Sequence, residues 1–273
     1  MTARTKTEAP PRDGLRADKR RPTELRPHKI SVDYIDFSDG SALIEVGRTR
    51  VLAAATIEER VPPFLRGTGR GWITAEYAML PRATTERTQR ERTAGRVSGR
   101  TQEIQRLVGR ALRAVTDLRA IGERQIIIDC DVIQADGGTR SASITAGCVA
   151  LGLALKKMLD QGLIDHMPLR HLVAGISVGI VGGRPLLDLD YSEDSQAELD
   201  MNIIETDRGE LVEVQAGAEK NPFSRKDLLG LLKLADRGIA KIIQIQKETL
   251  KKNSILFMAY GYKDKTGPDK GSV

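Results

Sequence analysis

Apolar and polar positions alternate along this chain in two rhythms. Short apolar runs at 42–46 and 51–57 flank Gly47, which suits two paired strands. Over 101–115 the rhythm lengthens. Ile104, Leu107, Val108, Ala111, Leu112 and Val115 recur at spacings of three and four, the stripe of an amphipathic helix, and Arg106, Arg110 and Arg113 occupy the opposite face. Positions 125–133 are rich in β-branched residues and predict a buried strand. They lead through Asp136-Gly137-Gly138-Thr139-Arg140 into a helix over about 141–159, where Ala142, Ala146, Gly147 and Ala150 permit close approach to a sheet. A turn near 165–168 precedes strands at 172–181, 185–190, 201–205 and 211–215. A last helix covers about 227–251, with Leu228, Leu231, Leu232 and Ala235 among its apolar positions. Strands precede a helix in each half, about 28–160 and 170–250, so the pattern predicts an α+β fold of two βα layers. No internal sequence repeat accompanies them, and a duplication is not read from the pattern alone.

The rhythm stops at both ends. Residues 1–27 combine Pro10, Pro11, Pro22 and Pro27 with Arg and Lys and read as a basic tail; 263–273 is polar and contains Gly and Pro. Across 273 residues, 40% hydrophobic and 29% charged content excludes bulk disorder and leaves room for one large or two small domains. The longest nearly apolar run, 172–182, is too short to span a bilayer, and no apolar segment follows Met1. Cys130 and Cys148 lie in apolar surroundings without a second Cys or His at ligand spacing. The expected location is therefore a reducing cytoplasm, with no membrane partner. The net charge of +6 hints at a polyanionic partner, but where the charge sits decides more than its total.

Three segments carry candidate chemistry. The first is the glycine pair, Gly137-Gly138, between a strand and a helix. Backbone N–H groups and the helix dipole converge there, and Thr139 and Arg140 add a hydroxyl and a two-pronged guanidinium suited to phosphate. The Lys-Ser/Thr of a Walker A loop is absent. Locally, a tight turn with an N-cap threonine and a solvated arginine explains the pattern as well or better. The second holds Asp188, Asp190, Glu193, Asp194, Glu198 and Asp200, six acids within thirteen residues, which repel one another unless a cation or arginines intervene. Asp194 and Asp200 flank a short segment that could bring both to one Mg²⁺; the plainer reading is a solvated acidic loop. The third is an arginine series, Arg82, Arg87, Arg90, Arg92, Arg96 and Arg100, uninterrupted by lysine. It suits a nucleic-acid backbone, or else an exposed loop or subunit contact. Trp72 and Tyr77 could stack on bases or pack inside. None of His28, His166 and His171 belongs to a recognisable triad or zinc spacing.

In order along the chain, Gly71-Trp72-Ile73-Thr74-Ala75-Glu76-Tyr77-Ala78-Met79-Leu80-Pro81-Arg82, Gly99-Arg100-Thr101-Gln102-Glu103-Ile104, Asp136-Gly137-Gly138-Thr139-Arg140, Asp188-Leu189-Asp190-Tyr191, Glu193-Asp194-Ser195 and Asp200-Met201-Asn202 resemble the ribonuclease PH family of phosphorolytic exoribonucleases. The resemblance covers roughly 20–250 and leaves 1–19 and 251–273 as tails. It implies an enzyme that trims tRNA precursors and other RNA from the 3′ end, with inorganic phosphate as co-substrate and nucleoside diphosphates as products. It implies a duplicated βα arrangement of the ribosomal protein S5 domain 2-like type and a homohexameric ring. By residue matching, Arg100, Gly138, Thr139 and Arg140 look like the phosphate site, Asp194 and Asp200 like the catalytic, Mg²⁺-associated carboxylates, and Arg82, Arg87 and Arg90 like the RNA-contacting loop. The rival readings are an RNA-binding ring scaffold of the same fold without catalysis and a hydrolytic nuclease. One departure stands out: the family's Arg-x-Asp-Gly-Arg appears as Arg16-Ala17-Asp18-Lys19-Arg20, without the glycine.

Overall fold

The computed structural model describes residues 15–253 apart from 92, 94 and 220; residues 1–14 and 254–273, most of both expected tails, lie outside that set. Two sheets organise the chain. The first half contributes β1 (His28–Val32), β2 (Gly40–Val46), β3 (Thr49–Glu58), β4 (Trp72–Met79) and β5 (Gln125–Gln134), in the order β1-β2-β3-β5-β4. The second contributes β6 (Val173–Val181), β7 (Arg184–Leu187), β8 (Leu199–Thr206) and β9 (Leu211–Ala218), in the order β7-β6-β8-β9. All neighbours are antiparallel except β4 and β5, whose parallel pairing sets Tyr77 beside Cys130. The expected α+β class holds.

Helix α1 (Gly99–Ala114) buries Ile104, Leu107, Val108, Ala111 and Leu112 against β4, as its stripe requires. Each fully buried Leu or Ile contributes about 1.5–3 kcal/mol. Helix α2 (Thr139–Asp160) packs on β2, β3 and β6, between the two sheets, and is apolar nearly all round. Gly40 shows how close it lies: a Cβ there would collide with the Ala150 carbonyl. Among the described helices α2 alone is long and apolar enough to cross a membrane, and 83% of that stretch is buried inside the protein. Cys130 and Cys148 are buried free thiols, both pushed up to about 12 by burial. Helix α4 (Arg225–Lys252), opened by a Ser224–Asp227 capping box, packs on β6 and β1 and runs past the tail boundary expected at 250.

The N-terminal expectation needs correction. Residues 15–27, assigned by composition to a tail, form an arm docked on the second half. Arg16, Arg20 and Arg26 are each less than a tenth exposed. The Pro22 carbonyl accepts from the Leu187 amide at 2.8 Å. Long arginine stems bury their methylenes while the guanidinium meets carboxylates, so a segment without apolar periodicity still docks. Lys19, where the family pattern has glycine, sits at φ +69°, the left-handed region that glycine adopts freely.

Candidate active site

The candidate residues come from four elements that meet where the two halves join. Gly137 and Gly138, at φ +79° and +69°, turn the chain from β5 into α2. A Cβ on Gly137 would stand 2.6 Å from the Leu189 carbonyl, so the glycine loop lies directly against the acidic segment. Gly138, not Thr139, is the N-cap of α2. The Thr139 hydroxyl instead shares a 2.9 Å hydrogen bond with the Tyr77 hydroxyl of β4, and both side chains are buried. Burial pushes the Tyr77 phenol up, against the pull of the Thr139 bond and of Arg100 and Arg140, so it stays a neutral donor. Tyr77 thus packs inside; a base-stacking role is closed to it. Trp72 is also engaged within the protein, with the Arg113 guanidinium 4.3 Å from its ring centroid and Phe64 edge-on at 5.5 Å.

Arg100 and Arg140 occupy equivalent places, the second residues of α1 and α2. A cation there opposes the helix dipole, and neither helix has an acid in its first turn to compensate. By contrast the short α3 (Tyr191–Asp194) and α4 carry acids in their first turns and close with capping boxes. Two helix N-termini that each carry an arginine make a place that favours an anion. Arg140 is steered by Gln215 of β9 at 2.7 Å and Glu103 of α1 at 3.3 Å rather than solvated, while Arg100 is exposed.

The six acids separate by partner. Asp188 is nearly fully buried; burial works to raise its carboxyl, but the Arg26 charge and hydrogen bonds, with the nearby His28, hold it below its ordinary value. Asp190 caps α3 by accepting from the Glu193 amide at 3.0 Å. Glu193 is gripped by Arg16. Glu198 accepts from the Gly183 amide at 3.2 Å. Among the described residues Asp194 and Asp200 form no ion pair with an arginine. Enough protein surrounds the Asp194 carboxyl, although it is open to solvent, to push it up against the pull of Arg100 and Arg140. Asp200, on β8, is pushed up to about 6, first by burial and then by the Asp194 charge, against Arg140. Its Oδ2 accepts from Asn202 at 3.3 Å, and its Oδ1 is buried with no hydrogen-bond partner among the described residues. An orphaned hard oxygen beside a repelling carboxylate fits a divalent cation. Among the described residues no group of three or more His, Cys, Asp or Glu could hold a metal ion by itself.

Arg100 and Arg140 therefore lie within electrostatic reach of Asp194, and Arg140 and Asp194 within reach of Asp200, with Gly138 and Thr139 directly preceding Arg140 in the chain. Arg82, Arg87 and Arg90 stand apart, on the exposed loop between β4 and α1. That loop is pinned at its start by buried Ala83, whose carbonyl accepts from the Ala135 amide at 2.9 Å, and at its end by Glu91, which accepts from Thr101 at 2.7 Å. Sequence reasoning missed the Tyr77 contact, the Arg26 bridge, and Glu219, whose charge raises both Asp194 and Asp200. Glu219 opens a short polar stretch after β9, with Lys220 and Asn221, and carries no local signal.

The chain resembles known proteins over most of its length. The model of the 3′ exoribonuclease family, domain 1, matches residues 24–156, and that of domain 2 of the same family matches 171–238. Ribonuclease PH of Solibacter usitatus is 55% identical over 236 residues, 86% of this chain and 99% of that one. The Moorella thermoacetica protein of the same name is 56% identical, covering 86% of this chain and 94% of its own, and that of Bacillus cereus 56%, covering 86% and 97%. Among solved structures, rice (Oryza sativa) Rrp46 superposes with a TM-score of 0.70 at 22% identity, covering 86% of this chain and all of that one. An archaeal exosome core chain gives 0.67 at 22%, covering 86% and 92%.

Proposed function

The chain belongs to the ribonuclease PH family, and from that premise we propose that the junction of the α1 and α2 N-termini with Asp194 and Asp200 is where inorganic phosphate cleaves the last phosphodiester of an RNA strand. The protein is a phosphate-dependent 3′-to-5′ exoribonuclease, a tRNA nucleotidyltransferase, and the substrates proposed for it are tRNA precursors and other RNA 3′ ends. The observation that carries the site is the pair of helix N-termini that hold arginine where acid is usual, facing two carboxyls raised above their ordinary values.

Arg100, Arg140, the Thr139 hydroxyl and the amides after Gly138 hold phosphate as a fixed nucleophile, which turns a two-molecule encounter into an oriented one. Because Tyr77 can donate to Thr139 Oγ1, the Thr139 proton is free for a phosphate oxygen. A phosphate oxygen bonds to the terminal phosphorus, and the bond to the preceding 3′-oxygen breaks. That oxygen takes the proton that the attacking hydrogen phosphate gives up and leaves as the new 3′-hydroxyl end of the RNA, while the former terminal nucleotide departs as a 5′-diphosphate. Mg²⁺ held by Asp194 and Asp200 would offset charge on the scissile phosphate. With Asp200 at about 6, a proton competes for the same oxygens in mild acid. Arg82, Arg87 and Arg90 reach the body of the RNA from their loop. A homohexameric ring in the cytoplasm is the proposed assembly and location; the fold likeness to the archaeal exosome core supports such assembly, and sedimentation at working concentration tests it.

Incubation with a tRNA precursor, Mg²⁺ and phosphate should release nucleoside diphosphates. Monophosphates formed without added phosphate would instead identify a hydrolase, and no product at all an inactive scaffold. Arg100→Ala should raise the phosphate concentration for half-maximal rate about tenfold or more. Asp194→Asn should lower turnover about 10²–10³-fold. An unchanged phosphate dependence in the first, or near-normal turnover in the second, would remove that residue from the site.

A further inference from the structure

We infer that Arg16, Arg20 and Arg26 of the docked arm are positioning residues for catalysis, which fix the phosphate loop relative to the short helix that carries Asp194. This rests on the site assignment above. Helix α3 is four residues long, and a single turn cannot sustain itself without outside contacts. Its amide at Asp190 is satisfied by Glu193 Oε2 at 3.1 Å. That same carboxylate receives Arg16 Nε at 2.6 Å and a second Arg16 nitrogen, Nη2. Arg16 also donates to the Leu187 carbonyl at 2.6 Å and the Asp188 carbonyl at 2.8 Å, and Arg20 adds a bond to the Asp188 carbonyl at 3.1 Å. The turn leading into α3 is thus held by its backbone as well as by its side chains.

Arg26 ties the other side. Its Nη2 meets Asp188 Oδ1 at 2.6 Å and its backbone amide meets Oδ2 at 2.8 Å, while Nη1 donates to the Asp136 carbonyl at 2.6 Å. One guanidinium therefore joins the glycine loop to the acidic turn. Asp188 itself sits at φ +55°, a conformation costly for a residue with a side chain, and such strain persists where the surroundings over-determine it. The three guanidinium groups are buried and committed to protein partners, so they act through Glu193, Asp188 and the glycine loop and not on substrate.

Steady-state kinetics on the full-length protein, with rates expressed per folded molecule from a thermal melt, test this. Arg16→Gln should lower kcat about tenfold or more while leaving KM for phosphate within about twofold, because it frees Asp194 but not Arg100, Thr139 or Arg140. Arg26→Lys should lower kcat and also raise the phosphate KM severalfold, because it loosens the glycine loop as well. Combining Arg16→Gln with Glu193→Gln should cost little more than Arg16→Gln alone, since the two act as one unit. A merely structural arm would lower the melting temperature but leave both constants unchanged per folded molecule, and that result would overturn the proposal. If Arg16→Gln does not fold, Arg16→Lys decides: it keeps the charge but loses the fork, and should lower kcat severalfold at constant phosphate KM. Normal kinetics would overturn the arm's role. Asp194→Asn, run alongside, separates the failures. If it keeps its turnover, the site assignment falls; if it is dead while the Arg16 variants are normal, only the arm does.

Discussion

The N-terminal arm and the loop between β4 and α1 are alike in composition and opposite in physics. Both are rich in arginine and contain proline, and neither shows apolar periodicity. In the arm, Arg16, Arg20 and Arg26 are buried, and each reaches a carboxylate of the acidic segment. In the loop, Arg82, Arg87 and Arg90 are exposed, and the Arg82 guanidinium folds back on the Thr85 carbonyl at 2.7 Å. Arginine density alone does not tell a structural cation from a recognition surface. What separates them is whether desolvated carboxylates wait at the other end, and those lie more than 160 residues away in the chain.

The strongest way to sharpen that contrast is to remove one buried partner. Arg26→Ala leaves Asp188 charged and enclosed, which should cost about 3–5 kcal/mol in urea unfolding. The pH sign follows from Asp188, whose carboxyl is held below its ordinary value in the folded protein. Its stabilisation is complete above the unfolded carboxylate pKa of about 3.9 and is lost as pH falls through the lower folded value. The gap between wild type and Arg26→Ala should therefore be widest near neutrality and narrow in acid; a gap independent of pH would deny Asp188 this role.

The loop should answer differently. Replacing Arg82, Arg87 and Arg90 together by alanine should change stability by no more than about 0.5 kcal/mol per site. Binding of a tRNA precursor should weaken, and its dependence on log salt should flatten by about 0.7 for each lost phosphate contact to a single-stranded region. Equal loss of stability in the arm and loop variants would erase the distinction. At Lys19 the effect should be well below that at Arg26 and of opposite sign. Restoring glycine at this left-handed position should stabilise by about 0.5–1 kcal/mol if the arm unfolds with the rest, as judged by the same urea transition.

Much of the fold was legible because burial leaves a period. Helices α1, α2 and α4 and strands β5 and β6 were visible from apolar spacing, since each presents a continuous face to the core. Strand β1, an edge strand of five residues that opens with His28 and Lys29, offers only Ile30 and Val32 to the core, too few to read as a period. Helix boundaries shifted where caps act: α1 begins at Gly99 because Ser98 accepts from the Thr101 amide at 3.1 Å, ahead of the first apolar position. The residues proposed for chemistry could be picked out by motif, but not their division of labour. Six acids in a row look alike in sequence; only the folded chain supplies Arg16 to Glu193 and Arg26 to Asp188 and leaves Asp194 and Asp200 over. Tyr77 reads as an ordinary strand aromatic until α2 sets Thr139 against it.

The docked arm also has a consequence for synthesis. Arg16 leaves the ribosome far ahead of Leu187 and Glu193, its partners 171 and 177 residues downstream. At translation rates of about 5–20 residues per second, it waits roughly ten to thirty-five seconds for them. During that interval the first sheet can be complete while the turn bearing Asp194 has yet to be made, so the arm has nothing to dock on.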